Sequence, residues 1–257
     1  MSGSKRMVAG LAAAVLALAA CSTHGTDEPQ AGVSQPNPAP GGGPAESPSA
    51  PYPFGTVQQK APAITDGQVP VVRHIPTDKP YVFLTMDDGA VKDPDALKLM
   101  QENNTHPVLF LNEKYVKGHE AYFKQILDAT GATLGDHTVD HPNLKGKPYE
   151  FQRKQICDDA DAFQRDLGVR PSLFRPPFGN YDQNTLRAAA ACGMRVSVLW
   201  TAAVNDGHVQ FQVGDKLRPG DIVLMHFRKT FKEDYTAFVE QAKKDGLTPV
   251  PLADFLG

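Results

Sequence analysis

The chain has 257 residues, a net charge of −3 and 21% charged side chains. There is no basic excess to draw a nucleic acid, and no nucleic-acid partner is expected. Hydrophobic residues make up 41%, enough for the core of one folded domain.

At the N-terminus, Lys5 and Arg6 precede an almost wholly apolar run over residues 7–20. It is short for a transmembrane helix and has the layout of a secretion signal. The run ends in Leu18-Ala19-Ala20-Cys21, which resembles a bacterial lipobox. Cys21 would then carry lipid and become the mature N-terminus; the alternative is an ordinary signal with a chance cysteine. Residues 22 to about 65 are rich in Pro, Gly, Ser and Ala. Such a stretch buries too little apolar surface to offset its ordering entropy. The expected organisation is a lipoprotein signal peptide over 1–20, a lipidated cysteine and disordered linker over 21–65, and a folded domain over 66–257. This implies an extracytoplasmic protein, lipid-anchored to the cell membrane, and a monomer is expected. Cys157 and Cys192 remain in an oxidising compartment, either as a disulfide or as two free thiols.

Within the domain, 81–86 reads as a buried strand. Asp93-Pro94 then looks like an N-cap with proline at the first helical position, opening a helix to about residue 103. A strand over 107–111 leads to a helix of about twelve residues ending at Gly131, a C′ glycine. A third strand covers 132–135. Pro148 opens a long helix closed by Gly168, with Phe151, Ile156, Ala160, Phe163 and Leu167 on its apolar face. Strands follow at 172–175, 195–200, 222–226 and 248–250. Asp182 caps a helix ending at Gly193, and another helix spans about 234–244. The alternation predicts an α/β fold: a distorted (β/α) barrel of about seven parallel strands.

Five short motifs fall where these strands end, the end of a β/α barrel at which sites are built. Asp87 and Asp88 are adjacent carboxylates that repel, so one binding a metal would leave the other free as a base. His137 and His141 are four apart, and Pro142 disfavours a helix running through His141. Asp88, His137 and His141 together supply three ligands. Three ligands and an open position suit a catalytic divalent metal. Zinc is expected first, with Co, Mn, Ni or Fe compatible with the same ligands. An iron oxygenase triad is the competing reading, and strand–helix alternation argues against it. After Arg175 and two prolines, Phe178 carries the first free backbone N–H, a candidate oxyanion donor. His226 ends an apolar strand. Trp200 opens the fourth motif, which runs to Asp206.

This ordered set resembles the polysaccharide deacetylases of the NodB-homology class, carbohydrate esterase family four, over about residues 79–257. Thr85-Met86-Asp87-Asp88-Gly89 is similar to the family's T-F-D-D-G. His137-Thr138-Val139-Asp140-His141-Pro142 matches H-[ST]-x-x-H-P. Arg175-Pro176-Pro177-Phe178-Gly179 matches R-P-P-x-G, and Leu224-Met225-His226 matches its Leu-x-His. The resemblance implies that 66–257 is a catalytic domain with Asp87 as base and Asp88, His137 and His141 as metal ligands. It implies that Arg175 orients Asp87 and that the Phe178 N–H helps hold the oxyanion. His226 would be the acid, Leu224 would line the acetyl pocket, and Trp200 would contact substrate. The implied substrate is an acetylated polysaccharide, with N-acetyl groups of cell-wall or chitin-like glycans favoured. O-acetyl xylan esterase activity and a wall-binding pseudoenzyme are the alternatives.

The fourth motif departs from the family. Aligned on Trp200, Asp206 keeps the second aspartate and is expected to tune His226. Ala203 replaces the first, removing an expected anchor for Arg175. Gly207 replaces a tryptophan wall, and Phe227 stands where the family often has Asp.

Overall fold

The computed structural model describes residues 52–257. The expectations for the signal peptide, for Cys21 and for most of the linker fall on residues 1–51 and lie outside the described residues. The strands are β1 (Val71–Val72), β2 (Tyr81–Asp88), β3 (Val108–Leu111), β4 (Thr133–Asp136), β5 (Leu173–Phe174), β6 (Val196–Val198), β7 (Ala202–Asn205), β8 (His208–Phe211), β9 (Ile222–His226) and β10 (Thr248–Pro249). The helices are α1 (Ala96–Glu102), α2 (Glu113–Val116), α3 (Glu120–Thr130), α4 (Tyr149–Asp166), α5 (Gln183–Ala191) and α6 (Phe231–Lys244).

Hydrogen bonding orders the strands β1-β6-β5-β4-β3-β2-β9-β7-β8, with β10 on β2. All pairs are parallel except the β7–β8 hairpin. This curled parallel sheet is the expected distorted barrel. After β1, the chain is joined to the start of β9 by a His74–Asp221 pairing and by Ile75 N–H donating to Gly220 O at 2.9 Å. The seven anticipated strands are present. The structure adds β1 and the β7–β8 hairpin, into which the chain runs directly from β6.

Alternation along the strands sorts apolar residues onto two faces. Val82, Leu84 and Met86 of β2, with Leu109 and Leu111 of β3 and Val223 and Met225 of β9, pack outward against α1, α3 and α6. Phe83, Val108, Phe110, Val196, Val198 and Ile222 face inward, closed below by Leu252, Phe255 and Leu256. Asp87 therefore belongs to the inner face, two residues beyond Thr85 and four beyond Phe83.

Local signals account for the helix ends. Asp182 forms a capping box with Thr185 on α5, and Gly131 ends α3 at φ 67°. Cys157 on α4 and Cys192 at the end of α5 are joined by a disulfide, Sγ–Sγ 2.04 Å.

Three expectations need correction. Phe151 is exposed, and Gln152 takes the buried position on α4, where its amide donates to Lys147 O (2.8 Å) and Asp182 Oδ1 (3.3 Å). The helix after β2 starts at Ala96 rather than at Pro94, because Asp93 caps the preceding turn by accepting Asp95 N–H (2.8 Å). Finally, residues 52–65, expected as linker, lie against the domain. Tyr52 OH and Gly55 N–H donate to Asp254 Oδ2 (2.8 and 3.1 Å), and the Tyr52 ring meets Tyr81 and Phe255. Tyr52 and Ala61 pack against the core, and the exposed Phe54 ring lies 4.4 Å from His106.

Candidate metal centre and active site

The register brings the motifs to one level. Asp87 stands opposite His226 on one side and Phe110 on the other, Leu111 opposite Asp136, and Asp136 opposite Phe174. His137 and Arg175 are the next residues after those strand ends. Regular alternation would send Asp88 to the outer face. Its φ of 74° breaks the strand and turns the carboxylate back beside Asp87. Thr138, His141 and Phe178 also have positive φ (74°, 58° and 62°), so four of the seven non-glycine residues of this kind among the described residues lie here. Strained backbone of this sort persists where the surroundings over-determine it, and it clusters at functional sites.

Asp88 Oδ1 lies 3.7 Å from His137 Nε2 and 3.5 Å from His141 Nε2. One ligand atom from each of the three residues falls within 4.8 Å of the others. Ligands at 2.0–2.1 Å around a tetrahedral ion stand about 3.4 Å apart, so the trio fits a divalent metal. Asp88 Oδ1 is buried without a hydrogen-bond partner, as an oxygen reserved for a cation would be. Burial raises the Asp88 pKa, opposed by the neighbouring histidines. His137 Nδ1 is 2.6 Å from Arg175 O. Donation there leaves Nε2 as the free lone pair facing Asp88. Burial depresses the His137 pKa to about 3, keeping the ring neutral, the ligating form.

Arg175 is fully buried, and its Nη1 donates to Asp87 Oδ1 at 2.6 Å. The other oxygen, Oδ2, lies 3.5 Å from His137 Nε2. Where the resemblance implies a carboxylate anchor at position 203, Arg175 Nε and Nη2 instead donate to the carbonyls of Val198 (3.0 Å) and Leu199 (3.5 Å). The guanidinium also lies over Phe110 (4.3 Å) and Trp200 (5.5 Å). A Cβ on Gly179 would meet the Trp200 ring at 3.0 Å, which explains the glycine closing the third motif. Trp200 thus supports Arg175 from below. Phe178 is exposed, with its ring 4.6 Å from His141. The turn's hydrogen bonds run from Gly179 N to Pro176 O and from Asn180 N to Pro177 O, leaving the Phe178 N–H out.

His226 is largely buried, and burial depresses its pKa to about 4 against the opposing pull of Asp87. Its Nδ1 is buried without a hydrogen-bond partner. Leu224 is buried two residues before it, opposite Thr85 and Ala203. The expected tuning of His226 by Asp206 is corrected by the structure. Asp206 and Gly207 are the two turn residues of the β7–β8 hairpin, with φ 51° and 72°. Both positive values are those of the tight turn that Asp-Gly favours. This puts Asp206, exposed, at the hairpin tip. A Cβ on Gly207 would face Glu233 of α6 at 3.7 Å, so this position builds the hairpin–helix joint. Phe227 is fully buried and stacks on Phe231 at 5.3 Å, which accounts for its apolar character.

A buried polar shell holds the His137–His141 loop, and sequence reasoning missed it. Asn112 Nδ2 donates to the carbonyls of His137 (2.5 Å) and Thr138 (2.8 Å). Asp159 Oδ2 accepts the His137 N–H (3.3 Å), and its Oδ1 accepts the Glu113 N–H (2.7 Å). Asp136 Oδ1 accepts the Thr138 N–H at 3.0 Å. Both aspartates are fully buried, and burial raises their pKa values. The available signal was Asp159 itself, a carboxylate on the same stripe of α4 as Ile156 and Phe163.

A family model described as polysaccharide deacetylase matches residues 74–197. An uncharacterized protein of Streptomyces coelicolor is 46% identical over 156 residues, 60% of this chain and 62% of that one. A peptidoglycan-N-acetylglucosamine deacetylase of Bacillus cereus is 28% identical over 159 residues, 59% of this chain and 57% of the relative. The chain thus spans less than two thirds of either relative. Among solved structures, a family-four pseudoenzyme of Bacillus anthracis superposes with a TM-score of 0.63 at 22% identity, covering 72% of this chain and 68% of that one. That last likeness is one of fold.

Proposed function

The domain belongs to the polysaccharide deacetylase family, and on that premise we propose that it hydrolyses acetyl groups from a polysaccharide, N-acetyl groups of peptidoglycan or a chitin-like glycan being the favoured substrate. The observation that carries the reading is the convergence of Asp88, His137 and His141 on one point beside a buried Asp87–Arg175 pair. Asp88, His137 and His141 would hold a divalent ion, zinc first among the candidates. Bound there, the ion would lower the pKa of a water and polarise the acetyl carbonyl.

The residues then divide the work. Asp87, fixed by Arg175, accepts the proton of the attacking water. The Phe178 N–H, free of the turn's own bonds, stabilises negative charge developing on the carbonyl oxygen. His226, opposite Asp87 in register, protonates the leaving amine. Leu224 lines the space for the acetyl methyl. A positioned acid or base contributes about 10²–10⁴-fold. The products are acetate and a free sugar amine.

Lipidation of Cys21 and an extracytoplasmic position, with the domain working as a monomer beside the wall, complete the reading. Supporting turnover over the pseudoenzyme alternative, the base, the arginine and all three ligands are present and face one another. Acetate release by zinc-loaded protein from a panel of N- and O-acetylated glycans tests the proposal. Release from O-acetyl xylan alone would favour the esterase, and release from none of them would favour a binding protein.

A further inference from the structure

Several surface cations are matched by nearby carboxylates, Lys98 with Glu102, Lys124 with Asp128, and Arg170 with Asp161, while Arg187 of α5 meets the neutral Asn184 Oδ1. Above the site stands another cation without a carboxylate. Arg228, two residues past His226, is exposed, and among the described residues no carboxylate lies within ion-pair distance of it. Its Nη1 donates instead to a neutral oxygen, Asn205 Oδ1, at 2.8 Å. Asn205 is itself held, donating through Nδ2 to Gln210 Oε1 across the hairpin (3.2 Å). The hairpin tip is tied to α6 by Gly207 N–H donating to Asp234 Oδ1 (2.8 Å), and Thr230 OH donates to the other Asp234 oxygen (2.9 Å). The guanidinium is thus placed by a chain of fixed groups, with its remaining N–H donors unused.

The placement is close to the chemistry. Continuing the β7–β9 register from Ala203↔Leu224 sets Asn205 beside His226. The charge on Arg228 lowers the pKa of both Asp88 and His226. Val91 N–H donates to Phe227 O (3.0 Å), tying the loop after β2 to the same corner. That loop carries Lys92, whose ammonium lies 5.9 Å from the Tyr115 ring. Lys114 lies 4.6 Å from the same ring and donates to Asp140 O at 2.9 Å. The nearby carboxylates Asp93 and Asp140 are turned to other donors, the Asp95 N–H and Gln155 Nε2.

Resting on the deacetylase reading, we propose that Arg228 is a specificity-determining residue that binds a carboxylate on the glycan, carried by the sugar next to the one that loses its acetyl group. A guanidinium fork matches a carboxylate in two parallel hydrogen bonds. Lys92 and Lys114 add attraction at the same mouth, which favours encounter with an anionic chain at low salt. The substrate class is therefore an acidic N-acetylated glycan.

The test compares two oligosaccharides matched in length, a neutral N-acetylglucosamine oligomer and one with a lactyl carboxylate on alternate sugars. Zinc-loaded full-length protein is measured as wild type, Arg228→Gln and Arg228→Lys, after confirming equal zinc content and equal Tm. The wild type should prefer the acidic oligomer at least about tenfold in kcat/KM. Arg228→Gln should bring the ratio near one through KM, and Arg228→Lys should keep part of it. Equal wild-type rates on both oligomers, or an equal loss on both in Arg228→Gln, would overturn the proposal. Calorimetric binding of the two oligomers is measured in parallel. A tenfold wild-type preference for the acidic one, lost in Arg228→Gln, supports the subsite even where no acetate is released. That combination would refute the deacetylase reading alone.

Discussion

Replacing Asp159 by alanine should weaken the metal centre without touching a ligand. Asp159 is fully buried, and its two oxygens accept the backbone N–H groups of His137 (3.3 Å) and Glu113 (2.7 Å). Alanine leaves the Glu113 N–H without its acceptor, while the His137 N–H keeps Leu111 O at 3.0 Å. One unsatisfied donor costs about 1–3 kcal/mol, and the metal-free domain should lose about that much. The same change frees the start of the His137–His141 loop. Loss of a partner that orients a metal-ligating residue typically costs about 10–100-fold in affinity. Asp159→Asn keeps one acceptor oxygen but turns an amide N–H toward the other backbone donor, so its zinc affinity should fall between alanine and wild type. Denaturant unfolding of the metal-free proteins reads the first quantity, and competition with a chromogenic zinc chelator reads the second. If Asp159→Ala loses stability but binds zinc within twofold of wild type, Asp159 serves the fold and does not position His137.

Two further predictions separate binding from chemistry and give the sign of the pH response. Asp87→Asn and His226→Ala should retain zinc while kcat falls about 10²–10⁴-fold, whereas His137→Ala and His141→Ala should lose the ion. Near-normal turnover in Asp87→Asn would remove Asp87 as the base. Burial holds His137 near pKa 3 and His226 near 4, below the ordinary value of about 6.5. The unfolded chain therefore binds more protons than the folded one between those limits. The stability these rings contribute is complete above pH 6.5 and is lost as pH falls toward 4 and 3. At pH 5 the metal-free domain should be less stable than at pH 7 by roughly 2 kcal/mol per ring. A urea midpoint that is the same at both pH values in wild type and His226→Ala would contradict the burial assigned to these histidines.

Much of the site was legible because it depends on strand ends. A buried apolar run ending in two aspartates, with Gly89 next at φ 82°, fixes where the carboxylates stand once alternation is known. What was not legible depends on long-range contacts. Nothing near Arg175 in sequence says that the carbonyls of Val198 and Leu199 will hold it. Asp159 lies 22 residues from His137, and only the packing of α4 brings them together. The fourth motif illustrates a competing local signal. Asp206-Gly207 between Ala202–Asn205 and His208–Phe211 is a strong two-residue hairpin pattern, and alignment on Trp200 hid it. The residues of 52–65 read as linker by composition, because the one ring that packs on the barrel, Tyr52, weighs little in an average.

Metal-dependent deacetylation at Asp88, His137 and His141 stands at the centre of the proposed function. Its most direct test measures bound metal and acetate release on the same sample, before chelation, after chelation and after zinc is restored. About one divalent ion per chain is expected, with acetate release lost when the ion is lost and both recovered on adding zinc. Full acetate release from protein that elemental analysis finds free of metal would contradict it.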